Sequence, residues 1–542
     1  MPPVEFGPGP VPGPRRVVLG RNGACATSHP LAVEAGHHML RSGGTAADAA
    51  VAMAAALTVL EPTSNGIGSD AFALVWAEGE LHGLNASGRA PFAASAAAAA
   101  AAGNVSVPVH GWDPVTVPGA PAAWHDLHAR FGRLPFADVL APSIAFAHEG
   151  HPVAPVVAAH WARAAKTHLA ARGPEFAGWG PVFAPGGRAP AAGEVFRSPE
   201  HAATLRRLAE TDVRDFYEGK TADAIAAFSR ATGGRLTGDD LAAHVNDWVE
   251  PIGVSYRDAE LWELPPNGQG IVALEALGIL EGLPVPSSPL DEAGVHAAIE
   301  AVKLAFADAL AWVTDLEHMA VDPGRFLEAD YLDRRRAAIG ERAERRETGF
   351  PRAGGTVYLA AADAGGMMVS YIQSNYMGFG SGIVVPGTGV ALQNRGAGFS
   401  LDPGHPNVMA PGKRSYHTII PAFLTRDGEP WGPLGVMGGH MQPQGHVQVM
   451  RAIVDHGLDP QAALDLPRWF FGEGLRVSFE DALPGTRAWP PETLGGLRDR
   501  GHDVDVVAEA GLFGRGQVIL RSRSGVYAAG SDPRADGIAL VY

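Results

Sequence analysis

The 542 residues contain one cysteine, Cys25. A lone thiol makes neither an internal disulfide nor a cysteine-based metal cluster, so the fold must rest on its packed core, and the chain fits a reducing compartment. Cys25 itself reads as a small buried apolar residue. No apolar run approaches the roughly 20 residues that a membrane helix needs. Pro2 to Pro14 is rich in proline and glycine, without the charged start and apolar core of an export signal. The expectation is a cytoplasmic protein with no membrane partner.

Positive charge is short as well. Lys and Arg number 42 against 58 Asp and Glu, a formal net charge of −16, whereas phosphate contacts require a surplus of cations on some face. Nucleic acid is therefore not an expected partner. Also absent are a phosphate-binding Gly-x-x-x-x-Gly-Lys-Ser/Thr loop, a dinucleotide Gly-x-Gly-x-x-Gly, a His-Glu-x-x-His and a Gly-x-Ser-x-Gly elbow. His37-His38 and the pair His440/His446 have ligand-like spacing, but 21 histidines produce such pairs by chance. Structural metal sites want four converging ligands. Neither a metal nor a cofactor is expected.

What is present suits a large core. Hydrophobic residues make up 46% of the chain, enough to bury a substantial interior. Thr45 with Asp48 forms a capping-box pattern opening an alanine-rich helix to Leu60, and Gly43-Gly44 closes a preceding helix that begins near Leu31. Ala71 to Trp76 has strand length. Ala93 to Ala102 is nearly all alanine and has helix propensity with little to pack against. Ala293 to Asp315 carries apolar residues at helical spacing and predicts a long core helix.

From Asp330 to Pro351 the texture turns to Arg, Glu and Asp, which predicts a solvated helix face and an exposed connector through Arg352 and Ala353. Directly after it, Thr356 to Asp363 and Met368 to Ser374 are apolar runs joined by Ala364-Gly365-Gly366, the pattern of a hairpin. A second hairpin is expected from Gln517 to Arg521 and Val526 to Ala529. Strands and helices alternate without the spacing of a parallel barrel, which favours a layered α/β architecture.

Several segments, in order along the chain, resemble the gamma-glutamyltransferase family: Gly43 to Ala50, Glu61 to Gly68, the helix motif His296, Ile299-Glu300-Ala301, Lys303 and Phe306-Ala307-Asp308, then Phe379 to Gly382, Val385 to Gly389, Leu392-Gln393-Asn394, Gly438-Gly439 and Ser531 to Arg534. The resemblance implies a four-layer αββα sandwich of the N-terminal-nucleophile hydrolase type. It also implies a precursor that cuts itself into a large subunit, 1–355, and a small subunit, 356–542, which stay together as a heterodimer. The nucleophile falls on Thr356, after Gly354-Gly355. The chemistry is coherent: a threonine hydroxyl needs a base, and an N-terminal threonine supplies one from its own α-amine, which titrates around 7.7–8.0 when unperturbed. The glycines are expected to let the backbone adopt a strained conformation for self-attack.

Gly438 and Gly439 are the expected oxyanion donors, since bare backbones let two N–H groups converge. Ser374 and Asn375 lie where the family places polar groups beside the threonine or the substrate. The residues that would grip a γ-glutamyl group are changed. The expected arginine falls on Ser87, with Arg89 two residues on as its replacement, an acidic residue falls on Gly398, a second ammonium partner on Arg395, and two serines on His417 and Thr418. These changes are similar to a branch that contains oxamate amidohydrolase and transferase-like hydrolases.

An arginine in place of an ammonium partner inverts the local charge. Two substrate classes follow: γ-glutamyl amides such as glutathione, the family default, and amides bearing a carboxylate but no ammonium, of oxamate or glutaryl type. The segment Asp402 to Gly412 is shorter than in relatives with a lid, which predicts an open site and hydrolysis over transfer. An unprocessed binding scaffold is the non-enzymatic alternative.

Overall fold

A computed structural model describes residues 15–346, 355–482 and 486–542. Two seven-stranded sheets form the centre. The first runs in the order Ile538–Val541, Gly23–Thr27, Gly355–Asp363, Met368–Tyr376, Asp70–Ala77, Glu80–Ala86 and Asp247–Val249, antiparallel throughout. The second runs Val18–Gly20, Tyr527–Ser531, Arg515–Arg521, Glu429–Met437, Ala422–Arg426, Ala259–Glu263 and Ile252–Tyr256, also antiparallel.

Side-chain alternation along the strands builds the layers. In Gly355–Asp363, Tyr358, Ala360 and Ala362 face the other sheet and pack with Phe423, Met437 and Ile519. Val357, Leu359 and Ala361 face outward onto the helices Pro30–Arg41, Ala46–Leu60 and Ala120–Phe131. The outer face of the second sheet is covered by Gly270–Glu281, Glu292–Trp312 and Met441–Val454. The order is helix, sheet, sheet, helix: the αββα sandwich. The sheets approach closely where Gly435 meets Tyr358, since a Cβ there would stand 2.3 Å from the ring.

The early helices follow the sequence pattern. Thr45 accepts from the Asp48 N–H while the Asp48 carboxylate accepts from Thr45, a capping box that opens Ala46–Leu60. That helix is buried all round because helices and sheet enclose it. Both predicted hairpins are present, as is the long helix, at Glu292–Trp312. The alanine run makes only the short helix Ala96–Ala101, with Ala99 its one buried residue. No described helix is long and apolar enough to cross a membrane.

The charged stretch is solvated over most of its length, as expected, with two exceptions. In the helix Ala329–Ala337, Arg335 turns inward and donates to Asp308 at 2.8 Å, and Arg336 donates to the Ile279 carbonyl at 2.7 Å. These two guanidiniums tie the helix to the layer beneath, because each finds an acceptor at a helix surface, while Asp330, Asp333 and Arg334 form the expected solvated face. Pro351, Arg352, Ala353 and Gly354 lie outside the described residues.

Candidate active site

Thr356 opens the strand Gly355–Asp363 at a register shift: Gly355 pairs with Tyr376, Val357 with Gln373, and Thr356 sits in the bulge between. It is 1% exposed. Its Oγ1 lies 3.1 Å from Ser374 Oγ. Ser374 Oγ in turn donates to the Gly355 carbonyl at 2.7 Å and accepts from the Tyr376 N–H at 2.8 Å. A serine has one proton to give. With that proton on the Gly355 carbonyl, Thr356 must be the donor in the Thr356–Ser374 contact. One side chain thus polarises the Gly355 carbonyl and accepts the proton of the hydroxyl beside it.

The strain expected of Gly354-Gly355 is not seen at Gly355, and Gly354 lies outside the described residues. The φ of Gly355 is outside the left-handed region, and what excludes a side chain there is crowding: a Cβ would stand 2.9 Å from the Thr63 carbonyl oxygen and 2.9 Å from the Gly378 nitrogen. The strained residue is Tyr376, at φ 76°, a conformation that costs a bulky side chain about 1–3 kcal/mol. It turns the end of the strand so that its N–H reaches Ser374 and its ring lies against Arg395, whose guanidinium carbon is 4.1 Å from the ring centroid.

Arg395 is 1% exposed. Nη1 donates to Thr418 Oγ1 at 2.8 Å, while Nε and Nη2 are buried without a partner among the described residues. Burial pulls its pKa down to about 10, against the favourable fields of Tyr376 and Asp70. An arginine with one satisfied nitrogen and a free edge is poised for a planar anion.

His417 beside it is fully buried and neutral: burial and the neighbouring Arg395 and Arg414 hold its pKa well below the ordinary value. Its Nδ1 accepts from the Ile419 N–H at 3.3 Å, so Nε2 carries the proton and donates to Asp70 at 3.1 Å. Burial raises Asp70 to about 7, opposed by Arg395 and by the Gly88 and Gly119 N–H groups.

Gly438 and Gly439 follow the strand Glu429–Met437 with φ of 135° and 62°. Their carbonyls accept from Met441 and Gln442, while neither N–H meets an acceptor among the described residues. Gln269 donates to both Thr418 O at 2.7 Å and Gly439 O at 2.9 Å, linking this turn to the Arg395 side of the site.

Of the residues singled out from sequence, Thr356 meets Ser374 and Arg395 meets Thr418; Tyr376 links the two pairs, and Gln269 links Thr418 to Gly439. Asn375 alternates onto the opposite face of its strand, where it accepts from Ser69 Oγ at 2.8 Å. Arg89 turns away to an ion pair with Asp315 at 3.2 Å. Ser87 donates to Asn85 at 2.7 Å. Asp70, Tyr376 and Gln269 were not singled out: Asp70 directly follows the Glu61 to Ser69 stretch and Tyr376 follows Asn375, but Gln269 carries no sequence signal.

The histidine pairs do not form ligand sets with each other. His446 is engaged on both nitrogens, by Glu263 at 2.7 Å and the Val436 N–H, and His37 packs edge-on against Tyr542. Nor is the site open in the uncut chain. The stretch 399–413 packs Phe399 and Met409 against Ala90, Ala94 and Val107, and the Ala90 N–H donates to the Lys413 carbonyl while the Ala90 carbonyl accepts from the Gly412 N–H, which lays residues 90–107 over the short segment.

Two antiparallel sheets between helical layers, with a buried strand-opening threonine in the crevice between them, define an N-terminal-nucleophile hydrolase, an enzyme acting on amide bonds. The chain belongs to the gamma-glutamyltranspeptidase family, whose model matches residues 32–542. It is 35% identical over 539 residues to a glutathione hydrolase-like YwrD proenzyme of Bacillus subtilis (strain 168), covering 96% of this chain and 99% of that one. It is 36% identical over 534 residues to the oxamate amidohydrolase proenzyme of Klebsiella pneumoniae, covering 97% and 99%. The crystal structure of cephalosporin acylase from Bacillus halodurans matches with a TM-score of 0.94 at 51% identity, covering 100% of this chain and 99% of that one.

Proposed function

We propose that the chain is a proenzyme that cuts itself between Gly355 and Thr356 into chains 1–355 and 356–542, after which Thr356 hydrolyses amides whose acyl group carries a carboxylate. The observation that carries the reading is Ser374, which donates to the Gly355 carbonyl while accepting from Thr356. Thr356 Oγ1 attacks the Gly355 carbonyl carbon, and its proton passes through Ser374 to the Thr356 nitrogen as the C–N bond breaks. Water then cleaves the resulting ester, leaving a Gly355 carboxylate and a Thr356 with a free hydroxyl and amine.

That amine is the base for turnover. It takes the hydroxyl proton as Thr356 attacks a substrate amide. The oxyanion is met by the Gly438 and Gly439 N–H groups, the amine product leaves with the proton, and water releases the acid from the acyl-enzyme.

The free Nε and Nη2 of Arg395 support an acyl group with its own carboxylate, bound side-on by two parallel N–H bonds. An ammonium would need a free carboxylate beside it, and Asp70, the acid next to Arg395, is already shared among Gly88, Gly119 and His417. The substrate is therefore a small-molecule amide of oxamate or glutaryl type, ahead of a γ-glutamyl amide. The B. subtilis relative's name keeps the second substrate in view. No cofactor enters these steps, and water is the acceptor in preference to an amino acid.

A panel of a glutaryl amide, its methyl ester and a γ-glutamyl amide tests the reading. The glutaryl amide with its free carboxylate is expected to be hydrolysed fastest, and Arg395→Leu to lower its kcat/KM by about 10–100-fold, the worth of hydrogen bonds to a charged group, with self-cutting intact. A faster γ-glutamyl amide would transfer the assignment to glutathione-like substrates.

A further inference from the structure

On the outer face of the second sheet, far along the chain from the nucleophile, His296 and Glu300 of the helix Glu292–Trp312 meet His502 of the C-terminal part. All three are buried, and one ligand atom from each lies within 4.8 Å of the others. His296 Nε2 is 2.9 Å from the Gly340 carbonyl, so it carries the proton and leaves Nδ1 as a bare lone pair. That lone pair points at His502 Nε2, 2.8 Å away. His502 Nδ1 is buried with no partner among the described residues.

Glu300 is paired with its neighbour: Lys303 Nζ donates to Oε1 at 2.6 Å. Its Oε2 has only a long contact, 3.4 Å from the Glu344 N–H. The cluster thus offers two imidazoles and a free carboxylate oxygen, and His296 and Glu300 are each fixed from behind by a hydrogen bond, the outer support that metal ligands carry.

We propose that His296 Nδ1, His502 Nε2 and Glu300 Oε2 bind a divalent cation of the zinc class, with a fourth position left to water. Two imidazoles and one carboxylate are a borderline-soft donor set that suits zinc over magnesium or calcium. Binding needs no net proton release. The proton shared between the two imidazoles moves to His502 Nδ1, and the nitrogens part to about 3.3 Å, their separation on a tetrahedral ion with Zn–N near 2.05 Å. Lys303 stays on the far oxygen of Glu300 as its outer partner.

The position gives the ion a task. His296 and Glu300 lie before Gly355 and His502 after it, and Gly340 and Glu344 belong to the last described stretch before the cut. The Ala343 N–H donates to Arg500 O, and Arg500 donates to Glu341 O. A bound ion staples the two chains beside residues 340–344 of the large one.

The test uses the full-length protein as purified, stripped with a chelator and titrated with zinc sulfate by calorimetry. One saturable site per chain is expected, weakened at least tenfold in His296→Ala and in His502→Ala and unchanged in the exposed His148→Ala. Cobalt(II) gives a readout that does not depend on the variants: the unaltered protein should develop the intense visible absorption of a tetrahedral site, which zinc then abolishes. No saturable zinc binding, binding indifferent to both histidine substitutions, or no cobalt band would each overturn the proposal.

Discussion

Arg395 and Asp70 set the electrostatics of the site residue by residue. Both are buried, and their opposite charges act on each other without a direct hydrogen bond being made. Asp70 titrates near 7, raised by burial, so below that pH it is neutral and the field of Arg395 is uncompensated. As pH rises through 7 the Asp70 anion competes with a substrate carboxylate. The same rise deprotonates the Thr356 amine, near 7.7–8.0 when unperturbed, and brings the base into play. The expected outcome is a kcat that climbs with pH while KM for a glutaryl amide also rises above about pH 7. Asp70→Asn, which keeps the size of the side chain beside His417 and Arg414, should flatten the KM limb and leave the kcat limb. A pH profile of the two parameters for both proteins checks it, and an unchanged KM limb in the variant would remove Asp70 from the account.

Among the elements, the hairpin Gly355–Asp363 and Met368–Tyr376 does most to place the chemistry. Its existence is legible in the sequence as two apolar runs around Ala364-Gly365-Gly366. Its bulge is not, because a one-residue register shift leaves no mark on composition. That shift puts Thr356 opposite Ser374, and strand alternation then sends Asn375 to the other face. Resemblance placed the polar pair to within a residue, and only the pleat separates the two.

Arg89 shows the same limit from another side. Its position near Ser87 is readable, but its ion pair with Asp315, 226 residues away, is a tertiary fact. The cluster of His296 and His502 is equally invisible, since 206 residues separate them. Ser374 carries a prediction at this scale. Ser374→Ala removes both the donor to the Gly355 carbonyl and the acceptor for Thr356, and self-cutting should slow by about 100-fold or more, as when an oxyanion donor is lost. Ser374→Thr should retain most of the rate. The half-time of precursor disappearance on a denaturing gel measures both.

In the whole molecule the proposed cut divides the sequence without dividing the fold. The first sheet interleaves Gly23–Thr27 and Asp70–Ala77, from before Gly355, with Met368–Tyr376 and Ile538–Val541, from after it. A hydrogen bond from His417 to Asp70 and an ion pair between Glu61 and Arg515 cross as well. Parting the chains would expose an entire inter-sheet core, so they should co-elute on gel filtration after cutting and separate only in denaturant. The layered class was readable from alternating helix and strand signals. The pairing of strands some 330 residues apart, Thr27 with Leu359, is set by packing alone.

The central claim is that Thr356 cuts the chain and then works as its new N-terminus. Intact-mass spectrometry of the purified protein and of Thr356→Ala tests it most directly. The account predicts two chains for the unaltered protein, the smaller beginning at Thr356, and one uncut chain for the variant. An unaltered protein that stays whole after long incubation, or a variant that is cut at the same bond, would contradict it.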